Sequence, residues 1–342
     1  MATPVTAAWT RPLVAFFRRH PLLLFLALTP GIPEYLSGSS TVAYVLLFPG
    51  GTFVSGLFLA LNLGLYGPGV LLVREAWVRW GRSWGALVLL GAAYGLLEEG
   101  TALSTLFDPR APVVGALGHY GRLFGVNWVW LIGVLGVHVV LSVGLPIVLH
   151  GLALPETRGR PLLTPRGVRL AGVIFVADIV VLALIANFWR EQLAWLLGAA
   201  VVAVLLVHGA SRLPRGWLDP PQARPTITPR TCFLFGLLFF PALLFVPALG
   251  GDAHVPAAVT GALDLLAGAL LFEAVRRGVG RSGNEAHLTL LAFGATLPIA
   301  VFGLIAQLRL PLVLLVDLGY LLFFLTLWRR YRPFAGDTTE AS

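Results

Sequence analysis

The sequence has little charge, no lysine and a single cysteine. Asp, Glu, Lys and Arg make up 12% of the 342 residues, whereas a soluble domain has about 25%. Because 57% of the residues are hydrophobic, an ordinary water-soluble domain is excluded. The lone Cys232 excludes an internal disulfide and a cysteine-based metal site. All 24 basic residues are arginines, a bias that indicates a GC-rich genome more than a particular chemistry.

The net charge of +8 does not predict nucleic-acid binding. The arginines stand in short clusters between apolar runs, where they orient transmembrane helices. We therefore expect a lipid bilayer as the partner and no nucleic acid. The first apolar run follows Arg18 and Arg19 and ends near Pro33 and Glu34 rather than at a small-residue cleavage site, so no cleavable signal peptide is expected.

Apolar segments of spanning length recur along the whole chain. A spanning helix needs about 20 mostly apolar residues, and the pattern predicts an all-α protein, a polytopic transmembrane helical bundle of about ten spans. Between the first two spans, residues 42–48 are predicted to form a short re-entrant or interfacial piece. The predicted spans are 21–37, 52–73, 84–107, 126–150, 170–188, 193–211, 231–249, 255–274, 287–307 and 311–328.

The arginine distribution predicts the orientation. With the N-terminus in the cytoplasm, the outer segments contain only Arg110, Arg122, Arg190 and Arg309, and all other arginines fall in inner segments. Both termini are therefore predicted to be cytoplasmic. We expect a four-span half over residues 1–155 that contains polar residues at membrane depth. A six-span, mostly apolar half follows over 156–334, and then a loose tail over 335–342.

Polar residues recur at helical spacing in three consecutive spans. Positions three, four and seven apart share a helix face, and spans joined by short turns usually pack as neighbours. The three faces are therefore predicted to surround one interior cavity. The predicted lining residues are Asn62 and Tyr66 in the second span, Tyr94 and Thr101 in the third, and Asn127 and Ser142 in the fourth.

The candidate catalytic residues are Glu98, Glu99 and His138. Glu98 lies on the polar face of the third span with Thr105, whereas Glu99 is predicted to point about 100° away. A buried carboxyl group suits a general base acting on water, or a proton carrier. The histidine could polarise an oxyanion or share the proton. The alternative is a purely structural hydrogen bond between helices.

Few residues near these acids could serve as metal ligands. Two glutamates and one histidine are few ligands, and their spacing matches no zinc motif. We therefore expect no metal and no cofactor. Glu34, Asp108 and His119 are predicted to lie on the outer rim, above the acids.

The sequence around these residues resembles two protein families. Pro33-Glu34, Gly38-Ser39 and the stretch Tyr94 to Gly100 resemble a group of uncharacterised bacterial multi-pass proteins with a YGxxEEG motif. This resemblance implies the cytoplasmic (inner) membrane of a bacterium and no established activity.

A more distant similarity is to the CAAX-protease and bacteriocin-processing (CPBP) intramembrane peptidases. It implies an acidic pair at Glu98-Glu99 and a catalytic histidine at His138. The arginine of the EExxxR motif in that family is replaced here by Leu103, and the phenylalanine of its FxxxH motif by Val134.

Three functions follow from these observations. The first is an intramembrane hydrolase that acts on a peptide. The second is a secondary transporter or permease that uses the acids as a proton or substrate site for a small molecule. The third is a membrane subunit without catalysis. In the second half, Asp178, Asp264 and Asp317 stand in mid-span, where they could form a proton or ion path or hydrogen-bond to neighbouring helices.

Overall fold

The computed structural model describes residues 14–37, 52–81, 83–186, 193–306 and 311–332. Within these ranges the chain is helical, apart from turns and one short antiparallel ribbon of β1 (Arg122–Leu123) and β2 (Val126–Asn127). The α-helices are α1 (Pro21–Pro30), α2 (Thr52–Arg79), α3 (Trp84–Gly95), α4 (Trp128–Val137), α5 (Leu145–Ala153), α6 (Pro165–Ala186), α7 (Leu193–Arg212), α8 (Pro229–Asp252), α9 (Ala257–Val279), α10 (Glu285–Ala306) and α11 (Pro311–Tyr331).

In the described part of the chain, three π-helical segments continue or join these helices. They are π1 (Gly31–Tyr35) after α1, π2 (Leu96–Ala102) after α3, and π3 (His138–Gly144) between α4 and α5. A π-helix closes its hydrogen bonds five residues apart rather than four. Leu36 N–H accordingly donates to the Gly31 carbonyl, and Leu103 N–H donates to the Glu98 carbonyl.

Among the described residues, six helical stretches are long and apolar enough to cross a membrane, and this confirms the predicted class of an all-α transmembrane bundle. The other four predicted spans, 21–37, 52–73, 84–107 and 311–328, coincide with helices that fall outside this set, so the count of ten and the cytoplasmic termini stay predictions. Residues 42–48 and 335–342 lie outside the described residues. The six stretches are Trp128–Ala153, Pro165–Ile185, Leu193–Arg212, Pro229–Asp252, Ala257–Val279 and Glu285–Ile305.

Side-chain capping starts several of the helices. The Ser83 side chain accepts a hydrogen bond from Ala86 N–H at the start of α3, and the Thr228 side chain accepts one from Thr231 N–H at the start of α8. The Asn127 side chain does the same for Trp130 N–H at the start of α4. Each cap satisfies a backbone N–H group that has no acceptor within its own helix.

Glycines allow helices of the two predicted halves to approach closely. A side chain at Gly64 or Gly69 of α2 would collide with Asp178 or Phe175 of α6. Small residues at such contacts are typical of membrane helix pairs. Helix α6 therefore packs directly on α2, across the predicted boundary at residue 155, and the division into two halves stays a prediction.

The predicted sidedness can be tested by labelling single cysteines. Cys232 is buried, so Cys232→Ser gives a cysteine-free background. We expect Val113→Cys, at an exposed position, to react with a membrane-impermeant maleimide added to intact cells. Ala223→Cys, also at an exposed position, should react only after the membrane is permeabilised, because this position is predicted to lie on the cytoplasmic side. Labelling of both positions from the same side would show that the predicted topology is wrong.

Candidate functional site

Each π-helical segment carries part of one polar cluster. Glu34 lies in π1, Glu98 and Glu99 lie in π2, and His138 and Ser142 lie in π3. π-Helical turns are rare in proteins, and those that do occur are often found at functional sites. The polar cluster, meaning these five residues with Tyr66 and Thr105, therefore stands where three membrane helices depart from α-helical geometry.

The ring of His138 lies between the two glutamate carboxylates. His138 Nε2 is 3.1 Å from Glu99 Oε1, and His138 Nδ1 is 3.4 Å from Glu98 Oε2. Nδ1 also lies 3.0 Å from the Ser142 hydroxyl. In an α-helix Glu98 and Glu99 would point about 100° apart. The π-helical backbone of π2 changes this angle, and both side chains reach the same imidazole.

Tyr66 joins Glu98 to a third carboxyl group. The Tyr66 hydroxyl lies 2.6 Å from Glu98 Oε1 and 2.7 Å from Glu34 Oε1. A neutral tyrosine has one proton to donate, whereas two ionised carboxylates can only accept. For both short contacts to be hydrogen bonds, Glu34 or Glu98 must therefore carry a proton and donate it to the tyrosine oxygen.

Glu99 is held from the other side by Thr105 and Trp130. The Thr105 hydroxyl donates to Glu99 Oε2, and the Trp130 indole N–H donates to Thr105 Oγ1 over 3.1 Å. Both Glu99 oxygens thus have partners that can donate. Hydrogen bonds join Trp130, Thr105, Glu99, His138 and Ser142 in one series, and Glu98, Tyr66 and Glu34 in another. The two series approach each other at His138 Nδ1 and Glu98 Oε2, which is 3.4 Å away and has no hydrogen-bond partner in the described part of the chain.

The centre of the cluster is closed to solvent in the described part of the chain. Glu98, Glu99 and His138 are 2%, 7% and 3% exposed. The ring of Tyr94 covers one side, with its centroid 5.9 Å from that of His138, and it stacks on Phe175 of α6 at 6.0 Å. The interior therefore holds two acids and one histidine with little access for water.

The structure brings together most of the residues predicted from the sequence. Tyr66, Tyr94 and Ser142 surround the three candidate catalytic residues. Asn62 lies one helical turn before Tyr66 on α2, and it is partly exposed.

Two predicted lining residues lie elsewhere. Thr101 donates to the Leu196 carbonyl of α7 over 3.3 Å, because π2 turns it away from Glu98. Asn127 caps α4 and also donates its amide to the Leu117 carbonyl over 2.7 Å.

Glu34 belongs to the polar cluster, although the helical spacing of the polar residues did not predict it there. The sequence places it at the outer rim, and only its nearness to Pro33 inside an apolar run indicated an unusual helix end. In the structure the rim residue Asp108 pairs instead with Arg110 at 3.1 Å. Partial burial works against its ionisation, but the hydrogen bonds from Arg110 outweigh this effect and lower the pKa of Asp108.

A metal ion would find three ligands at this place. One ligand atom each from Glu98, Glu99 and His138 lies within 4.8 Å of the others. Carboxylate and imidazole ligands suit several divalent metals, but a structural zinc site has four protein ligands. A metal at this place would also have to replace the bond between His138 and Glu99.

These features define a multi-pass helical membrane protein with a buried cluster of acids and histidine. The sequence model of an uncharacterized membrane protein family matches residues 23–332, so the chain belongs to that family. The search of curated proteins and the search of solved structures each found no match. The resemblance to an uncharacterised multi-pass group is thereby confirmed, whereas its bacterial origin and the similarity to CPBP peptidases stay predictions.

A single methyl group can test how tightly the cluster is packed. A Cβ atom at Gly95 would lie 3.0 Å from the His138 Cβ atom and 2.9 Å from Leu135. We expect Gly95→Ala to lower the free energy of unfolding by about 1–3 kcal/mol, as overpacking does. The measurement is unfolding of the purified protein in mixed micelles.

Gly172→Ala is the matched control, because a Cβ atom there meets nothing within 4 Å. It should be neutral or stabilise the helix by up to about 1 kcal/mol. Equal destabilisation by both changes would mean that α3 and π3 do not pack as described.

Proposed function

We propose that the polar cluster binds and transfers protons within the membrane, and that the protein is a proton-coupled secondary transporter. The observation that carries this proposal is the position of His138 between two carboxylates. Nε2 faces Glu99 and Nδ1 faces Glu98 and Ser142. An imidazole can accept a proton at one nitrogen and release one from the other, so this ring can pass a proton between the two acids.

The proton count at Tyr66 supports the same conclusion. The series Glu34–Tyr66–Glu98 needs one proton more than the hydroxyl supplies, and that proton can reside on Glu34 or on Glu98. Transfer from Glu34 to Glu98 is a relay in which the Glu34 proton moves to the tyrosine oxygen while the tyrosine proton moves to Glu98, so Tyr66 stays neutral. Glu34 is partly exposed, so it can exchange protons with water while Glu98 stays buried.

Coupling to transport follows from the cost of burying charge. An ionised group at membrane depth costs roughly 2.5–3.5 kcal/mol or more. Loss of a proton from the closed cluster therefore favours a conformation in which water reaches the acids. Protonation favours the closed conformation described here. A transporter uses such a difference to alternate access to its substrate, and we expect this one to act on a small molecule.

The location proposed for this activity is the cytoplasmic membrane. The arginine distribution predicts both termini inside, which would place the polar cluster in the outer half of the bundle. Glu34 would then exchange its proton with the outer side. The assignment to a bacterial inner membrane rests on the sequence resemblance.

Removing the Glu98 carboxyl should remove a protonated group and stop proton transfer. In lipid nanodiscs we expect an infrared band of a protonated carboxyl group that Glu98→Gln removes or shifts. In liposomes containing a pH-sensitive dye, a potassium diffusion potential should drive protons in faster through the wild type than through Glu98→Gln, by at least about tenfold if the cluster is the path.

Glu156→Gln serves as the control for both readouts, since Glu156 is an exposed carboxyl that pairs only loosely with Arg18, at 3.8 Å. It should leave the band and the flux unchanged. An infrared spectrum that is the same in the wild type, Glu34→Gln and Glu98→Gln would contradict the proposal.

An intramembrane hydrolase is the second candidate, because the Glu99–His138 distance of 3.1 Å lies within the range for a catalytic acid–base pair. Under this function Glu98 or Glu99 would activate water and His138 would stabilise the oxyanion. Both ring nitrogens already face carboxylates, which leaves no donor for an oxyanion, so we rank it second.

The two functions differ in one measurement. If the protein is a hydrolase, the purified wild type cleaves members of a fluorogenic peptide panel in detergent, and Glu99→Gln lowers the rate by at least about a hundredfold, the size of a lost general base. If it is the proposed transporter, neither protein cleaves the panel. Equal cleavage by the wild type and Glu99→Gln would point to a contaminating peptidase.

A further inference from the structure

A second buried acid lies on a different face of the helix that leads to His138. Asp264 of α9 is 0% exposed, and neither of its carboxyl oxygens has a hydrogen-bond partner among the described residues. It faces Gly133 of α4, five residues before His138. The sequence suggested that this acid could hydrogen-bond to a neighbouring helix, but the structure gives it no such donor within the described ranges.

A backbone carbonyl faces the same place. Leu243 of α8 lies four residues before Pro247, which is inside the helix. Proline has no N–H group, so the Leu243 carbonyl lacks its usual helical donor. An acid without a donor and a carbonyl without its helical donor thus lie together between α4, α8 and α9.

The absence of a side chain at Gly133 leaves room between these two groups. A Cβ atom built there would lie 2.9 Å from the Leu243 carbonyl oxygen and 3.5 Å from Asp264 Oδ2. Two oxygens therefore converge on one small space beside the glycine.

The position lies close to the N-terminal end of α9, which the predicted topology places on the outer side. Asp264 is seven residues into α9, which corresponds to a depth of about 10 Å. One turn before it, the Thr260 hydroxyl lies 2.7 Å from the Tyr120 hydroxyl, and this in turn donates to the Val255 carbonyl over 2.8 Å.

We propose that Asp264 and the Leu243 carbonyl bind one small monovalent cation, H⁺ or Na⁺. Oxygen ligands are those that hard cations prefer. A single charge is favoured because one carboxylate neutralises it, whereas a divalent ion would leave a net charge buried. A proton on Asp264 could be donated to the Leu243 carbonyl, and a sodium ion would bridge the same oxygens.

Groups of α4, α8 and α9 surround this acid in the described part of the chain. The faces that α4 and α8 present to Asp264 carry Gly133 and Leu243, and the titratable Tyr120 contacts Thr260, one turn before Asp264. Neither carboxyl oxygen of Asp264 has a hydrogen-bond partner among the described residues. The site is thus distinct from the polar cluster, and it does not rest on the proposed function.

The test is the thermal unfolding midpoint of the full-length protein in detergent, measured with NaCl or choline chloride at equal ionic strength and over a range of pH. If the ion is Na⁺, sodium raises the midpoint of the wild type, choline does not, and ²²Na⁺ binds at one ion per chain. If it is H⁺, sodium has no effect, and the midpoint of the wild type falls with rising pH as Asp264 loses its proton.

Three variants identify the site. Asp264→Asn should abolish the sodium effect, or the part of the pH dependence that comes from this acid. Gly133→Ala keeps the acid but fills the space beside it, and should weaken the response at least about tenfold. Gly268→Ala is the control on the same helix, because its Cβ atom meets nothing within 4 Å, and it should respond like the wild type.

Two outcomes overturn the proposal. One is a wild type whose midpoint responds to neither sodium nor pH. The other is a response that Asp264→Asn and Gly133→Ala both retain in full. If Asp264→Asn does not fold, Gly133→Ala with its Gly268→Ala control decides alone, because it leaves the carboxyl group in place.

Discussion

Burial of acidic groups at membrane depth is the constraint on which the rest of the structure depends. Glu98 and Glu99 cannot both stand ionised in an apolar interior without partners, because desolvation and mutual repulsion act together. His138 lies between them, Tyr66 and Thr105 take the outer oxygens, and Tyr94 closes the side. The packing of α2, α3, π3 and α6 can be understood as what holds these partners in place.

The sequence predicted the class of the protein and the identity of the central residues. Hydropathy is sufficient for the class, since a helix that lies in lipid must be apolar along about 20 residues. The same logic singled out Glu98, Glu99 and His138, because charge at membrane depth needs an explanation. The arrangement of these residues is a different matter, and here the assumption of uniform α-helices was insufficient.

Most of the differences between the predicted and the observed arrangement have one physical origin. A spacing rule assumes a constant angle per residue, and three of the helices change that angle where the polar residues lie. As a result Glu99 joins the cluster, Thr101 turns toward α7, and Glu34 contacts Tyr66. Asn127 differs for another reason, because a residue at a helix start is used by the backbone as a cap.

The π-helical segments have a consequence for what the loss of one residue would do. A π-helical turn amounts to an α-helix with one residue inserted, so deletion of one residue from π2 would restore α-helical geometry there and leave the helix beyond it in nearly its present orientation. Within the segment, however, the α-helical angle would again separate the directions of Glu98 and Glu99. The extra residue therefore acts locally: it decides which side chains of π2 reach His138 and leaves the neighbouring helices in place.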